Sequence, residues 1–230
     1  MMPAFKWALF AGSLLGFIWL PVRLGRWLWF LVLYFLGLNL LFLLPSHGWV
    51  PAGNLWVFLL LSHGPWVAVL ADLLFQGRLA KVFADMPYRQ ILLFEAARLM
   101  GLHFLLSARD GEVPLEFAAE ACLGETITAL AALILFFVAK KPGSSFRMAL
   151  LVWNTYGIAS LGALQYKVYQ SNPFLSPARY SREIFQYMTD YPQGWLTFFW
   201  MPLAFAGHLV IFYKIFRDRV IASRQALSLP

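Results

Sequence analysis

Charge is what this sequence has least of. Asp, Glu, Lys and Arg make up 13% of its 230 residues, against the ~25% usual in a soluble domain. That excludes a soluble enzyme and a disordered tail. Cysteine is nearly absent as well: Cys122 stands alone, so no internal bridge can form and a disulfide scaffold is excluded. No His-x-x-x-His or Cys-x-x-Cys spacing occurs. Nor is there a nucleophile elbow, a phosphate-cradling glycine loop or a zinc-protease helix. No catalytic set and no metal site is therefore assigned from motifs. No internal repeat or low-complexity tract divides the chain, which reads as one transmembrane domain over 1–230.

What is present is apolar surface. Hydrophobic residues reach 61% and aromatics 18%. A bilayer core of about 30 Å takes roughly 20 mostly apolar helical residues. Seven stretches are candidates: 7–22, 27–44, 54–75, 91–107, 119–139, 148–169 and 195–216. The expected fold is an all-α bundle of seven spans. Gly64-Pro65 interrupts the third. The fifth ends firmly at Ala139 but begins anywhere from Pro114 to Ala119. The first lacks the small-residue cleavage site of a signal peptide and is read as a span.

Basic residues set the orientation. With the N-terminus outside, twelve Lys and Arg fall in inner segments and five in outer ones, Arg98 lying within a span. The expectation is N-out and C-in, in a cell (inner) membrane. The net charge of +7 is then topology, and no nucleic-acid partner is expected. Trp27, Trp49, Trp56, Trp66, Trp195 and Trp200 fall near span ends, as an interfacial belt would. The stretch 77–90 is amphipathic and is expected along the inner surface. The long loop 170–194 is expected to cap the outer mouth of the bundle.

Ionisable residues inside spans are expensive and point to function. Here they are His63, Asp72, Glu95, Arg98, His103, Glu125 and His208, joined by Asn154 and Gln165. Glu95 and Arg98 are three apart and share a helix face. Arg98 can also pair with Glu125 across helices. Glu116 and Glu120 face the outer water. His63 and His208, at similar depth on different helices, suggest a second arrangement, two axial ligands to one haem iron. The glycine pairs Gly12/Gly16 and Gly157/Gly162 suit close helix packing.

The run Arg98-x-x-Gly101-x-x-Phe104-Leu105, then Gly111-x-x-Pro114-x-x-Phe117-Ala118, then Gly124-Glu125, resembles a pattern in small bacterial integral membrane proteins of unassigned function. Trp153-Asn154-x-x-Gly157 and Pro202 to His208 extend the likeness, which covers about half the chain. The chain departs from the pattern at Glu125, where the family has Asp, and at Ala129, where it has Gly. It also carries extra sequence around Tyr180–Tyr191. The resemblance implies that Arg98, Glu125, Asn154 and His208 form one recurrent constellation; it supplies no mechanism.

The leading expectation is a membrane protein whose intramembrane site binds or moves a small solute, ion or proton. Arg98 and Glu125 would be its charged core, Asn154 would orient and His208 would titrate near neutral pH. Three alternatives stand beside it. A haem-binding protein would use His63 and His208, and its visible absorption band would vanish in His208→Ala. An accessory subunit would meet a membrane-complex partner through the apolar second span. A lipid-acting enzyme would use Glu120, Glu125 and His103. Whether the chain is an enzyme is left open.

Overall fold

A computed structural model describes residues 55–139, 143–190 and 193–227. Among these residues there are helices and turns and no strand. The expected spans 7–22 and 27–44, with Trp27, Trp49 and Gly12/Gly16, lie outside the described residues.

Helix α1 (Leu55–Leu74) runs through Pro65 without a break. Gln76 takes a positive φ of 51° and turns the chain into the short α2 (Arg78–Asp85). Helix α3 (Tyr88–Ala96) passes into a 3-10 segment (Ala97–Leu102) and then α4 (His103–Arg109). Together they make one rod of 22 residues. Gly111, with a φ of +75°, terminates α4. A positive φ suits glycine, which has no Cβ to clash. Helix α5 (Leu115–Val138) begins directly after Pro114. Helix α6 (Ser144–Gln170) follows, then α7 (Arg182–Thr189). A π turn (Leu196–Trp200) opens α8 (Met201–Leu227). Pro202 has no N–H to offer the Phe198 carbonyl, and the turn ahead of it is the wide one.

Among the described residues, four helical stretches are long and apolar enough to cross a membrane: Leu55–Leu74, Tyr88–Arg109, Leu115–Val138 and Leu196–Ile221. They answer the third, fourth, fifth and seventh expected spans. Helix α6 covers the sixth and is longer, at 27 residues. It is not among the four, because Arg147, Asn154, Gln165 and Lys167 dilute its apolar content. The fifth starts at the early end of its expected range, which puts Glu125 about 15 Å along the helix at 1.5 Å per residue.

Helix α3 packs on α5, α5 on α6, α6 on α8, and α8 on α1. The buried apolar residues form two clusters. One holds Phe58, Phe104, Phe117, Leu161, Met188 and Phe198. The other holds Leu73, Leu92, Leu135, Leu150, Ile211 and Ile215. In α3, the 3-10 segment, α5, α6 and α8 the buried polar residues Glu95, Arg98, Glu125, Asn154 and His208 fall between the two. The exterior is apolar too: Leu123, Leu130, Ile134 and Phe137 of α5 are each 49% exposed or more. A helix apolar on every side belongs in a large core or a bilayer.

Two expectations change here. Trp195 and Trp200 are buried in the core rather than set in an interfacial belt, and Trp66 lies mid-helix against Phe205; Trp56 alone of the described four is 76% exposed. Asp72 is a helix cap, not a pointer to chemistry. Its Oδ2 accepts the Ala80 N–H of the first turn of α2 at 2.8 Å. Replacing a capping side chain by alanine costs ~0.5–2 kcal/mol. Asp72→Ala should therefore lower the thermal midpoint by a few degrees and loosen α2 to proteolysis. An unchanged midpoint and unchanged cleavage would show that the cap adds nothing.

Candidate functional site

The four residues expected to act together are brought together, from four helical elements. Arg98 sits in the 3-10 segment. Its Nε and Nη2 donate to Oε2 and Oε1 of Glu125 on α5, both at 2.7 Å. This two-pronged geometry is the strongest that a guanidinium and a carboxylate make. Nη2 also donates to Ser160 Oγ on α6 at 3.0 Å. Nη1 donates to Nε2 of His208 on α8 at 2.9 Å. His208 Nδ1 in turn donates to Asn154 Oδ1 on α6 at 2.7 Å, and Asn154 Nδ2 returns a bond to the His208 carbonyl at 3.0 Å.

These bonds fix the imidazole. Arginine has donors only, so the ring nitrogen it meets must accept. His208 therefore carries its hydrogen on Nδ1 and is neutral in this arrangement. An imidazolium would set N–H against N–H at the Arg98 contact. The ring expected to titrate near neutral pH is held at both nitrogens, with the Trp153 ring packed 5.1 Å away.

The backbone is shaped to admit these groups. A Cβ on Gly101 would lie 2.4 Å from the Glu125 Cβ. On Gly157 it would lie 2.2 Å from His208 Cε1, and on Gly207 2.2 Å from Glu95 Oε1. Three glycines thus open three berths. The expectation of close packing holds for Gly157; a Cβ on Gly162 would meet nothing within 4 Å.

Glu95, fully buried, is the fifth member. It approaches Arg98 Nη1 at 3.7 Å and His208 Nε2 at 3.5 Å. The same-face contact with Arg98 exists, but the hydrogen-bonded partner of Arg98 is Glu125. Sequence reasoning had set Glu95 aside as half of a local pair. It also missed Ser160 and Gly207. The spacing Asn154, Gly157, Ser160 repeats every three residues along one helix face, and Gly101 stands three beyond Arg98. Those intervals were the available signal.

Arg98 and Glu125 border a cavity of about 40 Å³. Its other walls include Phe104, Met188, Trp200 and Met201. A space of this size admits a water molecule or two. The loop 170–194 reaches it through α7, whose Met188 is fully buried. Beside it, the Tyr187 hydroxyl donates to Ser107 Oγ at 2.9 Å, and burial raises the phenol well above its ordinary pKa.

The remaining expected residues lie elsewhere. His63 belongs to a separate cluster with Ser62, Gln165 and Tyr169. An axial pair of His63 and His208 does not fit this arrangement, since iron at His208 Nε2 would have to displace the Arg98 bond. Among the described residues no group of three or more His, Cys, Asp or Glu is placed to hold a metal ion. Glu120 is exposed and pairs with Lys167. His103 hydrogen-bonds the Met100 carbonyl at 2.7 Å and stacks by Tyr187. Glu120 and Glu125 thus have different partners, and His103 has a third set.

The family described as a domain of unknown function (DUF8737) matches residues 55–216, and the chain belongs to it. The match takes in every element that contributes to the polar layer. Comparison with curated proteins and with solved structures finds no match.

Proposed function

We propose that this is an integral membrane protein whose buried polar layer binds or moves a small solute, ion or proton. The full topology on this reading is seven spans, with the N-terminus out and the C-terminus in, in a cell membrane. The observation that carries the reading is where the layer stands. Arg98 is at the middle of Tyr88–Arg109, His208 at the middle of Leu196–Ile221, and Glu125 within two residues of the middle of Leu115–Val138. On this reading these three residues, with Asn154 hydrogen-bonded to His208, stand near the bilayer midplane. Carrier proteins place their binding sites at that depth. A charge held there is expensive and is kept where a pathway needs it.

The division of labour follows from the contacts. Arg98 is the fixed positive charge. Glu125 is its counter-ion and lines the cavity. His208 and Asn154 hold the third prong of the guanidinium and set its angle. The cavity selects for size: something on the scale of water enters without rearrangement of the walls.

The test uses the full chain reconstituted in lipid vesicles. Proton movement is read with a trapped pH-sensitive dye under an imposed membrane potential, alone and with gradients of small anions, cations and neutral solutes. The expected result is movement above that of empty vesicles, lost in Arg98→Ala and Glu125→Ala although both variants insert. Wild-type protein indistinguishable from empty vesicles under every gradient would sink the reading.

A further inference from the structure

Two carboxyls share one guanidinium in this layer. Glu125 takes both prongs of Arg98. Glu95 is left at 3.7 Å, beyond hydrogen-bond reach. Its side chain is fully buried, and neither of its oxygens has a hydrogen-bond partner among the described residues. With both carboxyls ionised and His208 neutral, the layer carries one uncompensated negative charge. A buried carboxylate without hydrogen bonds is among the costliest groups a protein can hold.

The groups facing Glu95 narrow what can compensate it. The 3-10 segment supplies Arg98, α5 supplies Glu125, and α8 supplies His208. From α6, Asn154 and Ser160 reach the layer as neutral groups, and the exposed Tyr156 lies within electrostatic reach of Arg98. Other charged groups of these helices are engaged elsewhere, among them Arg89 over the Phe136 ring, Asp218 with Tyr88, Lys214 with the Ala84 carbonyl, and on α1 Asp72 with Ala80. A metal cation would need several oxygen ligands and would sit against the Arg98 charge. Glu95 is also not among the residues that border the cavity. A proton needs neither ligands nor space.

We propose that Glu95 is the proton-binding residue of this layer, taking up and releasing one proton, with the His208 imidazole 3.5 Å away as the neighbour that its acid form meets. The proposal rests on reading the layer as a working site and names what that site takes up. On uptake, the Glu95 carboxylate gains one proton from water and becomes a carboxylic acid. Its new O–H then points to His208 Nε2, 3.5 Å away, in competition with Arg98 Nη1. On release the proton returns to water and the carboxylate reforms. No other bond is made or broken, and the charge of the layer changes by one. Gly207 gives the carboxyl its room.

Infrared difference spectra of the full chain in vesicles, between acid and alkaline pH, test this directly. The expected result is a carboxylic-acid carbonyl band that shifts in heavy water, is lost in Glu95→Gln and is retained in Glu125→Gln. A band that survives Glu95→Gln, or no such band at any pH, overturns the proposal. If Glu95→Gln does not accumulate, Gly207→Ala serves. Its Cβ intrudes on Glu95 Oε1, so the band should move in frequency, and an unmoved band overturns the proposal. The dye assay on the same vesicles separates this inference from the reading beneath it. A Glu95-dependent band with no wild-type flux keeps the proton site and removes transport. Flux in Glu95→Gln equal to wild type keeps transport and overturns the assignment to Glu95.

Discussion

Glu125→Ala should destabilise the protein by roughly 3–5 kcal/mol, the usual cost of breaking a buried ion pair by removing one partner. The reason lies in what remains. Arg98 is 5% exposed, and without Glu125 it keeps its charge and loses two of its hydrogen bonds. Arg98→Ala should cost a similar amount, because it strands Glu125 and Glu95 together. The double variant Arg98→Met, Glu125→Leu should recover most of the loss, since replacing both members of such a pair with apolar groups of similar volume is often neutral. Thermal midpoints of the purified protein in detergent give all three values. The same variants separate structure from function. A stable double variant that moves nothing in vesicles shows that the pair is kept for its chemistry. A stable double variant with full activity would leave it a packing device.

Gly101→Ala should be the most damaging glycine substitution among the described residues. The added Cβ would lie 2.4 Å from the Glu125 Cβ and 2.9 Å from its Cγ. These atoms sit at the root of the side chain and cannot swing aside, so α5 must move away from the 3-10 segment. That movement opens the Arg98–Glu125 contact itself. Overpacking of this kind costs ~1–3 kcal/mol, and here the ion-pair loss adds to it. Gly157→Ala meets a ring edge of His208 instead, so the imidazole tilts and its bonds to Asn154 and Arg98 lengthen. Gly162→Ala is the control. A Cβ there meets nothing within 4 Å, and alanine favours helix over glycine by ~0.5–1 kcal/mol. Its midpoint should hold or rise. Equal midpoints for Gly101→Ala and Gly162→Ala would refute the close approach of α5.

Much of the architecture was legible because membrane insertion imposes a coarse rule. A run of about 20 apolar residues survives small errors in its ends, so 54–75, 91–107 and 195–216 each coincide with an observed helix. The gathering of Arg98, Glu125, Asn154 and His208 was legible for a related reason, that polar groups inside apolar spans are too costly to scatter. What escaped was local geometry. Hydropathy treats the 3-10 segment at Ala97–Leu102 and the π turn at Leu196–Trp200 as plain helix. Trp195 and Trp200 looked interfacial because position along a helix says nothing of which side it faces. Glu95 was legible in part. Its spacing to Arg98 gives the contact found at 3.7 Å, while spacing along one helix could not show His208 Nε2 3.5 Å away on another. Asp72 reads as an intramembrane charge until the chain is seen to fold back and place Ala80 beside it.

The 3-10 segment has a further consequence. A 3-10 helix advances about 2.0 Å per residue and turns every three; an α-helix advances 1.5 Å and turns every 3.6. Over the six residues Ala97–Leu102 the two forms differ by about 3 Å in length and about 120° in rotation. The segment is therefore a screw thread cut to a different pitch from the rod on either side. Rewinding it to the common pitch would draw His103–Arg109 inward and swing that piece about its own axis. Arg98 lies on the thread. One change of pitch would thus move the guanidinium relative to Glu125, Glu95 and His208 together, and would carry Phe104 of the first apolar cluster with it.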